Sequence, residues 1–207
     1  MIDQIAFALG RNDEIPNIEL AINLCNTHNT AGVAEIVDGL NHKDKRIAND
    51  CIKVLYEIGE RKPELISPYA STFLNLLMSK NNRLVWGSMT ALATIADLVP
   101  DVLFQNLDRI LYALENGSVI TIDNSMTTLA KLCNVSDAYH DKIFPILLQH
   151  LEKCRPKEVA QHAERISICI TSKNLSSFTN VLEKRVDYLT PSQKSRIDKL
   201  LRKLQKM

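Results

Sequence analysis

Apolar and polar residues recur with a helical period along most of the chain. In residues 83–100, "RLVWGSMTALATIADLVP", Val85, Met89, Leu92 and Ile95 lie three or four positions apart. This spacing puts their side chains on one face of an α-helix, and a proline ends the stretch. The pattern predicts an amphipathic helix with one buried face.

The same pattern occurs again at intervals of 37 residues. The segment "RIANDCIKVLYEIGERKP", residues 46–63, has apolar residues at the places that match those in residues 83–100. Two apolar columns run through four copies: Leu55, Leu92, Leu129 and Ile166, and Ile52, Met89, Met126 and Ala163. Such a period is typical of repeat architectures, in which neighbouring copies bury a shared core.

Three further apolar columns predict a second helix between these copies. They are Val33, Ala70, Leu107, Phe144 and Val181; Ile36, Phe73, Ile110 and Leu147, which ends at Lys184; and Leu40, Leu77, Leu114, Leu151 and Tyr188. Each unit is therefore a helix pair. First helices are predicted near 30–41, 64–79, 101–116, 138–153 and 175–189, and second helices near 44–59, 82–97, 119–134, 156–171 and 191–206.

Turn residues agree with these boundaries. The prolines of "ERKPEL" and "LVPDVL" and the pair Asn116-Gly117 separate neighbouring helices. Thr190 is the predicted N-cap of the last helix, with Gln193 as its capping-box partner. Pro68 and Pro145 fall inside first helices and are expected to bend them.

The chain is predicted to be one domain, residues 1–207, because a single helix pair cannot bury its apolar face alone. Residues 30–190 form the repeats. Residues 1–29 are expected to be an N-terminal cap, with a short apolar helix around Ile2, Ile5, Ala6 and Leu9. Residues 191–207 are expected to be a C-terminal capping helix with a polar outer side.

The repeat resembles those of the HEAT-repeat (armadillo-type α-solenoid) family. The shared motif is an apolar helix, a polar turn such as "NHKDKR" or "SKNNRL", and a second helix with the apolar columns above. The resemblance implies an all-α, right-handed α-α superhelix of about five helix pairs, whose second helices line a concave groove. A ladder of turn Asp and helix Arg, common in HEAT families, is matched at Asp44, Arg46 and Arg83 and departs at Ile120 and Lys157.

Composition supports helices and offers no overall charge for a nucleic acid. Apolar residues make up 45% and aromatic residues 5% of the sequence, and the net charge is +1. No apolar run is long enough to span a bilayer, and the first residues lack the pattern of a secretory signal. Five cysteines without a CxxC motif favour reduced thiols and a cytoplasmic location.

No catalytic motif appears, so the chain is expected to be non-enzymatic and to need no cofactor. His150 and Cys154 are four residues apart, a spacing that suits two ligands of one metal ion, but sequence analysis finds no third ligand and predicts no metal site. His162 lies in the same column as Ser88 and Ser125, and is interpreted as a buried structural histidine.

The outward columns of the second helices are the predicted binding surface. The candidate residues are Arg46, Asn49, Lys53, Arg83, Trp86, Thr90, Asp123, Thr127 and Lys157. Their mixed, mildly polar character suits a protein or peptide partner and makes nucleic acid an unfavoured ligand, since phosphate binding needs clustered Lys and Arg. We therefore expect a protein-interaction scaffold.

Two other hypotheses remain at the sequence level. One is a nucleic-acid-binding protein that resembles the HEAT-like alkylation-repair DNA glycosylases, which use a basic groove with a Trp and a catalytic Asp. Trp86 and Asp123 would correspond to that Trp and Asp, but the basic residues of the groove are missing from this sequence. The other is a subunit that only spaces the parts of an assembly. Trp86, the single Trp, is interpreted either as packing between repeats or as a binding anchor.

Charge is distributed unevenly between the two ends of the chain. Residues 1–40 contain six acidic residues and one basic residue, and residues 194–207 contain six basic residues and one acidic residue. These ends are interpreted as solvated caps. The alternatives are weak head-to-tail association of an otherwise monomeric chain, or contact of the basic helix with an anionic surface.

Overall fold

The computed structural model describes residues 1–206, which form twelve α-helices without a strand. The helices are α1 (Ile15–Thr27), α2 (Thr30–Asp38), α3 (Lys45–Arg61), α4 (Ala70–Leu76), α5 (Asn82–Ile95), α6 (Pro100–Gln105), α7 (Leu107–Asn116), α8 (Val119–Cys133), α9 (Asp137–Lys153), α10 (Pro156–Ile166), α11 (Leu175–Arg185) and α12 (Pro191–Leu204). The predicted all-α class is confirmed. Met207, part of the predicted C-terminal cap, lies outside the described residues.

The apolar columns form the core, as the 37-residue period predicts. Leu55, Leu92, Leu129 and Ile166 are each 0% exposed. The neighbouring column from Ile52 to Ala163 is buried to the same extent. These side chains lie on α3, α5, α8 and α10, so equivalent turns of four second helices carry buried residues.

One column fails at its last member. Tyr188 is 70% exposed, whereas Leu40, Leu77, Leu114 and Leu151 are buried. The reason is local: α11 ends at Arg185, and residues 186–188 form a 3₁₀ turn that no longer follows the helical period. The prediction that Tyr188 belongs to the core is wrong.

Two first helices are shorter or more broken than predicted. The segment predicted as helix 64–79 begins with two 3₁₀ turns, Pro63–Leu65 and Ser67–Tyr69, and only then continues as α4. Each turn has a proline in one of its first two positions. The N–H groups there have no partner within the turn, so the N–H that proline lacks is not needed. The segment 101–116 is split at Asn106 into α6 and α7. The Asn106 Nδ2 donates to the Val102 carbonyl, which completes the end of α6.

The N-terminal region differs from the predicted cap. The expected apolar helix over residues 2–9 is only a 3₁₀ turn, Ile2–Gln4. The first regular helix is α1, which packs against α3 much as α3 packs against α5. α1 ends where His28 adopts a left-handed backbone with φ 49°. Within residues 1–29, α1 therefore packs on α3 in the way that one second helix packs on the next.

The chain divides into two compact units, residues 1–125 and the described residues from Met126 onward. In the first unit α1, α3 and α5 lie side by side, and α4 packs on α5. In the second unit α10 packs on α12, and α9 packs on α11. The predicted capping box at the start of α12 is present, with Thr190 and Gln193 bonded reciprocally.

Candidate functional site

Six of the predicted binding residues lie on two neighbouring helices of the first unit. We call this surface the α3–α5 face; its predicted residues are Arg46, Asn49 and Lys53 on α3, and Arg83, Trp86 and Thr90 on α5. Arg46 is exposed, Lys53 is buried, and the other four are half-buried. The structure thus brings these side chains together, but Lys53 does not offer a free ammonium group.

The two helices approach closely at the middle of this face. Gly87 follows Trp86 on α5, and a Cβ at Gly87 would lie 2.6 Å from Cγ1 of Ile52 on α3. Since real Cβ atoms essentially never come that close, a larger residue would push α5 away from α3. The absence of a side chain at Gly87 therefore allows α5 to approach α3 closely beside Trp86.

Trp86 is the aromatic centre of the α3–α5 face. Its ring centroid is 5.7 Å from that of Tyr56, with the planes tilted by 43°. The Arg83 guanidinium lies over the indole, 4.3 Å from the ring centroid. Tyr56 is buried and Trp86 is half-buried. One edge of the indole thus joins two helices, while part of its surface stays open to a ligand.

Glu14 joins the basic residues of this face. Its carboxylate forms an ion pair with Arg83 and another with Lys53, the latter at 3.0 Å between Nζ and Oε2. Lys53 also binds Glu57 at 2.6 Å. Burial favours the neutral form of Glu14, but the Arg83 and Lys53 partners outweigh it and hold the pKa of this carboxyl below its usual value. The sequence analysis missed Glu14, because nothing in the repeat pattern links residue 14 to residues 53 and 83.

The segment before α1 covers one end of the α3–α5 face. The Phe7 N–H donates to Oδ2 of Asp50 at 2.7 Å, and the Arg46 guanidinium lies 4.1 Å from the centroid of the Phe7 ring. A cleft of ≈ 350 Å³ opens beside this segment. It is lined by Ala6, Phe7, Arg11, Asn12, Asp13, Glu14, Arg46, Asn49, Asp50 and Arg83. Three of the predicted binding residues therefore border one concave site with both charge signs.

Amide side chains extend the polar contacts along the face. Nδ2 of Asn81 donates to Oδ1 of Asn49 at 2.8 Å, and Oδ1 of Asn81 accepts from the backbone N–H of Arg83 at 3.1 Å. Further along, Asn124 on α8 donates to Oγ1 of Thr90 at 2.9 Å. These bonds connect successive repeats and orient the side chains that flank Trp86.

Asp44, Arg46 and Arg83, which match the Asp–Arg ladder of HEAT families in the sequence, form other pairs in the structure. Asp44 caps α3 through the Arg46 N–H and binds the Arg46 side chain at 2.7 Å, so this pair is local. The arginine holds the pKa of Asp44 down to about 2. Arg83, the next member of the column, pairs instead with Glu14.

The remaining predicted residues are more scattered. Asp123 is half-buried on α8 in the first unit. Thr127 and Lys157 belong to the second unit, where the Thr127 hydroxyl accepts from Nη1 of Arg165 at 2.5 Å and Lys157 is exposed in the first turn of α10. We describe these two within their own unit only.

The second unit contains a cluster that the sequence analysis did not find. His150 lies near the end of α9, Cys154 caps α9, and His162 lies on α10. One ligand atom from each lies within 4.8 Å of the others. His162 is 0% exposed, as expected for its core column, but its Nδ1 is 3.1 Å from Nε2 of His150. The expectation that no third ligand accompanies His150 and Cys154 is therefore wrong.

No helix in residues 1–206 combines the length and the apolar character needed to cross a membrane.

Solved structures share this fold. A crystal structure of an engineered protein has a TM-score of 0.70 at 15% identity, covering 99% of this chain and 96% of that one. Computationally designed armadillo repeat proteins for modular peptide recognition have a TM-score of 0.68 at 13% identity, covering 90% and 91%. A designed armadillo repeat protein in complex with the peptide (KR)4 has a TM-score of 0.67 at 13% identity, covering 88% and 84%.

No protein-family model and no curated protein matches the chain. The structural similarity shows a helical repeat fold of the HEAT and armadillo type, which confirms the resemblance found in the sequence.

Proposed function

We propose that this chain is a non-catalytic scaffold that binds a protein or peptide segment through the α3–α5 face. The observation that carries the proposal is Trp86, half-buried between Tyr56 and Arg83 with part of its surface accessible. Tryptophan and arginine are enriched among the residues that dominate binding energies, especially where aromatic side chains are held rigidly. Two structural neighbours are designed for or bound to peptides, which supports the same use of the fold.

The contacts of the N-terminal segment indicate the chemistry that suits this face. Phe7 places an aromatic ring under Arg46, and Glu14 places a carboxylate between Lys53 and Arg83. A partner segment that carries aromatic and acidic side chains would repeat these contacts next to Trp86. This preference differs from that of the designed neighbour, which is bound to the basic peptide (KR)4.

The nucleic-acid hypothesis receives less support from the same residues. Lys53 and Arg83 are already paired with Glu14, and Arg46 is paired with Asp44. A single acidic side chain of a peptide can replace Glu14 beside Arg83, whereas a phosphate backbone needs several unpaired cations at once and would meet the carboxylate of Asp50 nearby. Binding to nucleic acid depends on clustered cations that are free to release counterions. A cytoplasmic location stays a prediction from the cysteine pattern.

A selected peptide tests the proposal. A random peptide library displayed on phage is selected against the full chain, and the peptides obtained are labelled for fluorescence anisotropy. We expect Trp86→Ala to weaken binding by on the order of 2 kcal/mol. Tyr112→Ala is the matched control, because Tyr112 is an aromatic residue 49% exposed on α7 and is not one of the residues of the α3–α5 face. Peptide binding by this variant should be unchanged.

Two results would contradict the proposal. Peptides that bind Trp86→Ala as well as the unaltered chain would place the site elsewhere. Binding of a short DNA duplex in preference to every selected peptide, with a steep loss of affinity in salt, would favour the nucleic-acid hypothesis. Binding of (KR)4 through Trp86 would support the site and contradict the proposed acidic preference.

A further inference from the structure

The His150–Cys154–His162 cluster combines the ligand types of a zinc site. Imidazole nitrogens and a cysteine thiolate are the ligands that Zn²⁺ takes in proteins, whereas Mg²⁺ and Ca²⁺ take oxygen. His150 and Cys154 are four residues apart at the end of α9, a spacing found in zinc sites. His162 then comes from α10, so the three ligands connect two consecutive helices of the second unit.

The distances fit a tetrahedral ion. For Zn–N and Zn–S bonds of ordinary length, two nitrogens lie about 3.3 Å apart, and a nitrogen and a sulfur about 3.6 Å apart. The two histidine nitrogens are 3.1 Å apart, and all three ligand atoms lie within 4.8 Å of one another. The Cys154 thiol lies 3.7 Å from the Leu151 carbonyl, a weak contact that metal binding would replace.

The three ligand types coincide in one repeat. At the equivalent positions 37 residues earlier the chain has Ala113, Gly117 and Ser125, none of which is a strong metal ligand. Burial of an imidazole at a core position costs free energy unless its nitrogens are satisfied. Three departures from the repeat pattern meet at one point, and a shared metal ion would account for all three.

We propose that His150, Cys154 and His162 form a zinc-binding site that fastens α9 to α10. Zn²⁺ displaces the thiol proton of Cys154, which passes to solvent, and the two histidines bind through Nε2 of His150 and Nδ1 of His162. Water takes the fourth position on the side of His150, which is half-buried, whereas His162 and Cys154 are buried. Arg185 donates to the Cys154 carbonyl at 2.6 Å and holds the turn between the helices.

Metal titration of the full chain tests this site. Protein freed of metal with a chelator is titrated with Zn²⁺ against a chromogenic competitor, and with Co²⁺ as a spectroscopic substitute. We expect one tight equivalent of zinc and a thiolate-to-cobalt charge-transfer band. Cys154→Ser should abolish the band, and His150→Gln should weaken zinc by more than about 100-fold, since loss of an outer-shell partner alone costs 10–100-fold.

Matched variants and a second measurement separate binding from misfolding. Cys25→Ser alters another buried cysteine, and His42→Gln alters an exposed histidine; neither should change zinc affinity. Zinc should also raise the melting temperature of the unaltered chain and of both controls, but not that of Cys154→Ser, because a ligand stabilises only the state that binds it. Absence of tight zinc binding, or binding that survives Cys154→Ser combined with His150→Gln, would show instead a hydrogen-bonded pair of neutral histidines and overturn the proposal.

Discussion

Trp86 on α5 lies against Tyr56 on α3, with ring centroids 5.7 Å apart and planes tilted by 43°. The contact joins two consecutive repeats, and yet it leaves part of the indole accessible beside Arg83. Packing and partner binding are therefore compatible roles for one side chain, since different parts of the ring serve each.

Fluorescence of the single Trp tests this placement. A half-buried indole should emit at a wavelength between those of buried and solvated tryptophan, and acrylamide should quench it only in part. A fully blue-shifted emission that resists the quencher would mean a buried ring, and Trp86 would then be removed as a binding residue.

Leu92→Ala tests the repeat register. Leu92 is 0% exposed in the column shared with Leu55 and Leu129. Removal of a buried leucine side chain leaves a cavity, so we expect a loss of about 2–5 kcal/mol in the free energy of unfolding. Leu98→Ala is the control, because Leu98 is 49% exposed and should cost less than about 1 kcal/mol. Equal costs in urea denaturation would mean that Leu92 is not a core residue.

Glu57→Gln tests the buried ion pair behind the α3–α5 face. Glu57 is 8% exposed and Lys53 is 7% exposed, with Nζ and Oε1 2.6 Å apart. The change removes the charge of one partner and leaves buried Lys53 with Glu14 alone. We expect a loss of about 3 kcal/mol at pH 7, measured by urea denaturation. Glu60→Gln, at the neighbouring exposed position, should have little effect; an equal loss there would contradict the account.

Acid should destabilise the second unit through His150. Burial, with a smaller effect of His162, lowers the pKa of His150 from 6.5 to about 4, and Glu158 opposes the shift. Between pH 4 and pH 6.5, the His150 side chain is protonated in the unfolded chain and neutral in the folded chain. Stability is therefore retained above pH 6.5 and is lost as the pH falls toward 4, by about 2 kcal/mol once the partial exposure of His150 is allowed for.

The measurement is urea denaturation from pH 7 to pH 4.5 with a chelator present. His150→Gln should reduce the slope of stability against pH, whereas His42→Gln should keep the slope of the unaltered chain. The basic partners of Glu14 and Glu57 outweigh burial and lower the pKa values of both carboxyls, so their contribution to stability is lost at lower pH than that of His150. Both glutamates are present in both variants, so they do not affect the comparison. An identical slope in His150→Gln would contradict this assignment.

The fold could be predicted largely from local pattern. A 37-residue period predicts the second helices, because the same columns are buried in each of them. The first helices were harder to predict, since prolines and Asn106 break them at positions that do not recur. Tyr188 was predicted wrongly because the helical period ends before it, in the 3₁₀ turn Val186–Tyr188.

The candidate site could be predicted only in part. The repeat pattern identifies Arg46, Arg83 and Trp86 as outward residues of successive helices. It does not predict that Glu14 reaches both Lys53 and Arg83, since that contact depends on how residues 5–14 fold back onto α3. In the same way His150 and His162 meet only because the turn after α9 brings two helices together.

Hydrogen exchange with a selected peptide tests the central claim most directly. The full chain is labelled in deuterated buffer, alone and with a saturating peptide obtained from the library, and exchange is followed by mass spectrometry. Peptide binding at the α3–α5 face predicts slower exchange in residues 45–61 and 82–95, and no such effect in Trp86→Ala. Protection confined to α7 or α12, with residues 45–61 and 82–95 unchanged, would contradict the account.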